Sequence, residues 1–204
     1  MKEITHLFFD LGGVCLTNAW DHFSREDAAK YFGYDFQASE KRHEVIVEKF
    51  EIGKVSRKDY LNEVVFYKKR DFSEKEFIDF MESQSKAHPK SFELLEKLRS
   101  QDKYSISALN NESLELNLFR IEKFKLKSYF ANFFSSCFLG VAKPNLEIYQ
   151  KALQITQTPA DRCLLIDDRQ PNTEAAAECG FQILHLPKVD ELEEKLVEKK
   201  IIQK

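Results

Sequence analysis

No apolar stretch in this chain approaches the ~20 residues that a bilayer-crossing helix requires, and no membrane span is expected. The N-terminus lacks the basic, apolar and small-residue succession of a secretory leader. Glycine and proline are scarce, 6 and 5 of 204 residues, and form no linker. There is no internal repeat and no low-complexity tract. The four cysteines (Cys15, Cys137, Cys163 and Cys179) include no C-x-x-C pair, which fits reduced thiols in a cytoplasmic protein. The five histidines show no metal-ligand spacing, so zinc is not expected. A net charge of −3 offers no basic field for nucleic acid, and acids are interleaved near Lys68-Lys69-Arg70 and Lys199-Lys200. What is present is 43% hydrophobic and 32% charged, the balance of a soluble globular chain long enough for one domain with a sizeable insertion.

Five short apolar runs read as core strands: Ile4–Phe9, Tyr104–Leu109, Phe133–Phe138, Cys163–Ile166 and Phe181–Leu186. Helical patterns separate them. Phe92, Leu95 and Leu98 share one face, as do Leu114, Leu118 and Ile121, and later Leu192, Leu196 and Val197. Pro89, Pro144 and Pro171 each suit a first helical turn, where the missing N–H is harmless. Strand–helix alternation predicts an α/β fold with a doubly wound parallel sheet. Residues 18–88 break the alternation. They hold no convincing strand but several helix starts: Ser24 with Asp27, Ser56 with Asp59, and Ser73 with Glu76. They read as an all-helical cap inserted into a core of residues 1–17 and 89–204. The insertion starts shortly after Asp10, so it is placed to act as a lid.

The chemistry-bearing residues follow the strands. Asp10 ends the first apolar run and precedes Gly12-Gly13, Asn110-Asn111 ends the second, Lys143 lies a short loop after the third, and Asp167-Asp168 ends the fourth. In a parallel sheet these ends share one edge, where such folds place their ligands. Three carboxylates there repel one another unless a cation compensates. Mg²⁺ suits oxygen ligands and commonly also binds substrate phosphate. Lys143 adds a point charge, and the amides of Asn110 and Asn111 add donors for phosphoryl oxygens. Asp10 is then free to attack phosphorus, as carboxylates do in forming aspartyl-phosphates.

The ordered set resembles the haloacid dehalogenase-like (HAD) superfamily of hydrolases with a helical cap of the first type. The counterparts are Phe9-Asp10-Leu11-Gly12-Gly13-Val14, Ala108-Leu109-Asn110-Asn111-Glu112-Ser113, Gly140-Val141-Ala142-Lys143-Pro144 and Ile166-Asp167-Asp168-Arg169. The stretch Phe50-Glu51-Ile52-Gly53-Lys54-Val55-Ser56 also looks like the family, and the chain is similar to its α-D-glucose-1-phosphate phosphatase type. The resemblance implies a Rossmann-like sheet ordered 5-4-1-2-3 with Asp10 on the central strand. It implies Asp10 as nucleophile. Mg²⁺ would be held by Asp10, the Gly12 carbonyl, Asp168, and Asp167 as ligand or support. Asn110, Asn111 and Lys143 would hold the phosphoryl group, with Lys143 also orienting Asp10.

Two positions depart from the family pattern. Gly12 stands where most of its phosphatases have a second Asp acting as general acid and base, and Asn110 stands where Ser or Thr is usual. A missing acid typically costs ~10²–10⁴-fold in rate, and less for good leaving groups. Anomeric, acyl and aryl phosphates are therefore expected to outperform alkyl phosphates, and Gly12→Asp is expected to speed hydrolysis of poor leaving groups. Asp21, His22, His43 and Glu44 are alternative acids from the cap. The leading expectation is a Mg²⁺-dependent phosphatase of a small phosphorylated metabolite. A catalytically weak phosphate-sensing or protein-binding domain, and a dehalogenase, are the alternatives.

Overall fold

The computed structural model describes residues 2–203. Five parallel strands form one sheet: β1 (His6–Phe9), β2 (Ser105–Asn110), β3 (Asn132–Ser135), β4 (Cys163–Asp167) and β5 (Gln182–His185), in the order β3-β2-β1-β4-β5. This is the expected order, read from the opposite edge. Leu7 pairs with Ile106 on one side and Leu164 on the other, which puts β1 at the centre. Successive side chains alternate between the two faces of a strand. Accordingly Leu7, Phe9, Leu164 and Ile166 enter one apolar cluster, while Phe8 and Leu165 enter the other. Both faces are covered by helices, which is why the strands read as near-continuous apolar runs.

One cluster is packed against α5 (Pro89–Ser100), through Leu94, Leu95 and Leu98, and α10 (Leu192–Glu198), through Leu192 and Leu196. The other is packed against α8 (Leu146–Thr156) and α9 (Gln170–Glu178). Helix α6 (Leu114–Lys123) follows β2. Its buried residues are Leu116, Asn117, Arg120 and Ile121, whereas Leu114 and Leu118 are exposed. The expected Leu114–Leu118–Ile121 stripe is thus not the packing face: Arg120 is buried with partners on Nε, Nη1 and Nη2, and Asn117 is buried with its Oδ1 accepting from Asn110 and its Nδ2 without a partner among the described residues.

Four helices lie between β1 and α5: α1 (His22–Phe32), α2 (Phe36–Glu51), α3 (Arg57–Val64) and α4 (Glu74–Ser83). Ser56 caps α3, and Ser73 with Glu76 forms a reciprocal capping box on α4. Helix α1 starts a turn before Ser24, because Asp21 accepts from the Ser24 N–H and claims the cap. The four helices share an apolar cluster in which Phe50 and Tyr60 stack at 4.0 Å. The chain leaves and re-enters the α/β layer side by side. Thr17 N donates to Lys86 O at 2.9 Å and Thr17 Oγ1 donates to Gln84 O at 2.7 Å.

Two further expectations change. Strand β3 ends at Ser135, and Ser136–Leu139 forms a short helix, α7, closed by Gly140 in the left-handed region with φ 69°. Short apolar runs do not distinguish a strand from a helical turn. Pro144 lies outside the following helix, since Asn145 caps α8 by accepting from Glu147 N at 2.9 Å. Pro89 and Pro171 do occupy first turns.

Candidate active site

At the carboxyl end of the sheet Asp10, Asp167 and Asp168 converge. One carboxylate oxygen from each falls within 4.8 Å of the others. Asp10 continues the β1–β4 ladder, its N–H donating to Ile166 O at 2.9 Å, and its Oδ1 accepts from Leu11 N at 2.7 Å. Gly13 turns the chain away with φ 71°, and a side-chain carbon there would overlap the Asp168 carboxylate.

Lys143 organises the cluster. Its ammonium lies 3.2 Å from Asp10 Oδ1, 2.6 Å from Asp167 Oδ2 and 2.8 Å from Leu109 O. These three partners match its three N–H donors. Burial works against the Lys143 charge, but Asp10 and Asp167 outweigh it and hold its pKa above the ordinary lysine value. Burial pushes Asp10 up to about 7, with Asp167 and Asp168 adding to the rise and Lys143 opposing it. Asp168 is likewise raised, by burial and then by Asp167.

The two motif aspartates differ. Asp167 is fully buried, and both its oxygens are occupied: Oδ1 by Arg169 N and Asn172 Nδ2, Oδ2 by Lys143 and Asn172. Asp168 Oδ2 accepts from Asn18 Nδ2 at 3.3 Å. Its Oδ1 is buried with no partner among the described residues. A buried carboxylate oxygen without a partner is costly. Together with the converging carboxylates it fits a hard divalent cation with oxygen ligands. Gly12 faces the same cavity.

The asparagines do not both face that cavity. Asn110 Nδ2 donates to Asn117 Oδ1 at 3.1 Å, and its Oδ1 accepts from Ser135 Oγ at 2.8 Å. Asn110 is 1% exposed and is absent from the cavity lining, so its amide ties β2 to β3 and α6. Asn111 does line the cavity, and its amide clamps the Lys143 backbone, donating to O and accepting from N at 2.8 Å each.

The cavity above the cluster measures about 290 Å³ and lies between the α/β layer and the helices α1 and α2. Asn18 fills the space over Gly12: a side-chain carbon built on Gly12 would overlap Asn18 Oδ1. The residues considered as substitute acids are placed as follows. Asp21 caps α1, and the His22 ring is largely exposed, 3.8 Å from Glu40. Burial holds His43 down to about 4, with its Nδ1 2.8 Å from Tyr60 Oη. Glu44 is exposed and outside the lining. Sequence reasoning did not single out Asn18, Glu51, Glu112 or Arg120, all of which line the cavity. Arg120 Nη1 donates to Glu112 Oε2 at 2.9 Å, Nη2 to Thr17 O at 2.7 Å and Nε to Ser85 Oγ at 3.1 Å. It thereby fastens both crossings between the helices and the sheet to the loop after β2. Glu51 carried only the weak signal of its place in the Phe50–Ser56 stretch.

A model of the haloacid dehalogenase-like hydrolase family matches residues 4–180, and the chain belongs to that family. Comparison with curated proteins finds no significant match. Among solved structures, the HAD family enzyme bt-2542 of Bacteroides thetaiotaomicron is similar at 23% identity and TM-score 0.78, over 90% of this chain and 94% of that one. Its complex with magnesium and inorganic phosphate is similar at 23% identity and TM-score 0.75, over 89% and 93%. A predicted HAD-like family hydrolase of Porphyromonas gingivalis is similar at 20% identity and TM-score 0.78, over the full length of both chains. At these identities the likeness shows the fold. No helix among the described residues is long and apolar enough to cross a membrane.

Proposed function

We propose that this hydrolase is a Mg²⁺-dependent phosphatase of a small phosphorylated, sugar phosphate-like metabolite, acting through an aspartyl-phosphate on Asp10. One relationship carries the reading. Lys143 sits 3.2 Å from Asp10 Oδ1, while the unpartnered Asp168 Oδ1 belongs to the same three-carboxylate cluster. The magnesium and phosphate bound by the Bacteroides enzyme support it.

Asp10, Asp168 and the Gly12 carbonyl would hold the cation, with Asp167 as ligand or support. Bound there, Mg²⁺ supplies positive charge that keeps Asp10 ionised and neutralises phosphoryl oxygens. The protein's own groups do the rest. Lys143 holds the Asp10 carboxylate in place and brings its positive charge to the phosphoryl group, to which the Asn111 amide N–H not used on Lys143 O would donate. Asn110 acts from behind by fixing the end of β2. Asp10 Oδ attacks phosphorus as the ester oxygen leaves, and water then cleaves the acyl phosphate and returns the carboxylate. Residues 18–88 act as a cap over a core of 1–17 and 89–204, and their cavity face selects the substrate. The four free cysteines support a reducing, cytoplasmic location.

The test is p-nitrophenyl phosphate hydrolysis with Mg²⁺, with and without a chelator, by the wild type and Asp10→Asn. Hydrolysis that requires Mg²⁺ and Asp10 is expected. Chelator-resistant activity, or full activity in Asp10→Asn, rejects the reading.

A further inference from the structure

A phosphatase of this design needs a proton for the departing oxygen, and the core does not provide one. Gly12 has no side chain, and the space above it is taken by the amide of Asn18. Lys143 has committed its donors to Asp10, Asp167 and Leu109. His43 is neutral at ordinary pH. Of the carboxylates lining the cavity, Asp10 is paired with Lys143, Asp21 caps α1 and Glu112 is paired with Arg120. Glu51, the last residue of α2, lines the same cavity and has neither an ion-pair nor a hydrogen-bond partner for its carboxylate among the described residues.

The C-terminal end of α2, which carries Glu51, is docked on the core. Ser136 Oγ donates to Glu51 O at 2.6 Å and accepts from Glu112 N at 2.9 Å, joining this turn to the loop after β2. Two residues on, Gly53 adopts φ 73° and lies so close to α7 that a Cβ there would stand 2.7 Å from Cys137 O. Only glycine fits both the conformation and the approach. The backbone from Glu51 to Gly53 is thus held at both ends of a short span, with the Glu51 side chain on the cavity side.

Resting on the phosphatase reading, we propose that Glu51 is the general acid and base of the reaction, delivered by the helical segment in place of a core aspartate. As the Asp10–phosphorus bond forms and the ester P–O bond breaks, the Glu51 carboxyl gives its proton to the departing oxygen. In the second step water gives a proton to the Glu51 carboxylate as its oxygen bonds to phosphorus. The Asp10–phosphorus bond then breaks, and both side chains return to their starting states. Burial, and then the Glu112 charge, keep the Glu51 carboxyl above the usual carboxylate range, against the opposing Arg169, Arg25 and Lys143, which favours the acid form. The preference for good leaving groups expected from Gly12 is therefore a property of the enzyme without Glu51.

The experiment compares p-nitrophenyl phosphate with phenyl phosphate, which is nearly the same shape but has the more basic leaving group. In the wild type with Mg²⁺ the two are expected to differ modestly in kcat/KM. Glu51→Gln is expected to lower kcat for phenyl phosphate by about 10²-fold or more, and for p-nitrophenyl phosphate by a much smaller factor. Ser136→Ala is expected to show the same selectivity in milder form. Equal losses on both substrates, or no loss, overturn the proposal while leaving the phosphatase reading standing. A wild type already far slower on phenyl phosphate overturns it too. A wild type inert on both substrates rejects the phosphatase reading itself, and Glu51 with it.

Discussion

The amide of Asn18 occupies the volume that a side chain on Gly12 would need, and its nitrogen donates to Asp168 Oδ2 at 3.3 Å. From the sequence alone, Gly12→Asp restores a missing acid. In the structure the new side chain must first displace Asn18 from both Gly12 and Asp168. Gly12→Asp alone is therefore expected to give no gain on phenyl phosphate, whereas Gly12→Asp with Asn18→Ala has the room. Steady-state kinetics of the single and double variants check this. A clear gain from the single substitution would show that Asn18 yields freely.

Lys143 is buried between two carboxylates, and its side chain is 1% exposed. Removing one partner of a buried ion pair typically costs ~3–5 kcal/mol, because the remaining charge is stranded. Lys143→Met is expected to destabilise the metal-free protein by about that amount. It should also raise the Asp10 pKa further and reduce hydrolysis at least ~10²-fold through lost charge stabilisation. Urea denaturation and kcat measure the two effects separately. Retention of full activity would remove Lys143 from the reaction.

Cation binding should be visible without turnover. A ligand at 100 times its Kd stabilises the native state by ~2.7 kcal/mol, which corresponds to a thermal midpoint higher by roughly 5–10 °C for a chain of this size. Saturating Mg²⁺ is expected to produce such a rise in the wild type and a much smaller one in Asp168→Asn, which loses the charge beside the unpartnered oxygen. Equal shifts in the two proteins would place the ion elsewhere.

His6 is buried on β1, stacked on Phe8 at 4.2 Å, with Nε2 2.8 Å from Ser107 Oγ. Burial lowers its pKa from 6.5 to about 4. Between these values the unfolded chain binds the extra proton, so the His6 contribution is complete above pH 6.5 and is lost as pH falls toward 4. Asp10, raised to about 7 in the metal-free protein, works in the opposite sense as pH rises. The comparison is therefore made against His6→Gln, in which Asp10 is unchanged. Between about pH 7.5 and about pH 5 the wild type is expected to lose more unfolding free energy than the variant. Equal losses would mean that His6 is protonated in the fold.

The residue-level chemistry of the strand ends was legible before any coordinates. Asp10, Asn110-Asn111 and Asp167-Asp168 each terminate an apolar run, and alternation with helices requires a parallel sheet, so convergence at one edge followed. The helix starts at Ser56, Ser73 and Pro89 were legible for the same reason: each depends on residues within one turn. Asp21 displaced Ser24, and Ser136–Leu139 coiled rather than extended, where two local solutions competed within a few residues.

Other features depend on contacts that no window of sequence contains. Asn18 reaches Asp168 across 150 positions, and Arg120 reaches Thr17 across 103. Asn110 was read as a phosphate donor, yet Ser135 and Asn117 take its amide. Which face of α6 is buried turned on the partners of Arg120 and of Asn117 Oδ1, and hydrophobic spacing carries no information about those partners. Local backbone chemistry and strand–helix order thus determined a parallel sheet with Asp10 at its carboxyl edge, and the family resemblance supplied the central place of its strand. Only packing of the helical segment onto that sheet decided which polar groups face the cavity, because a buried polar side chain is stable only where a distant part of the chain supplies its hydrogen bonds.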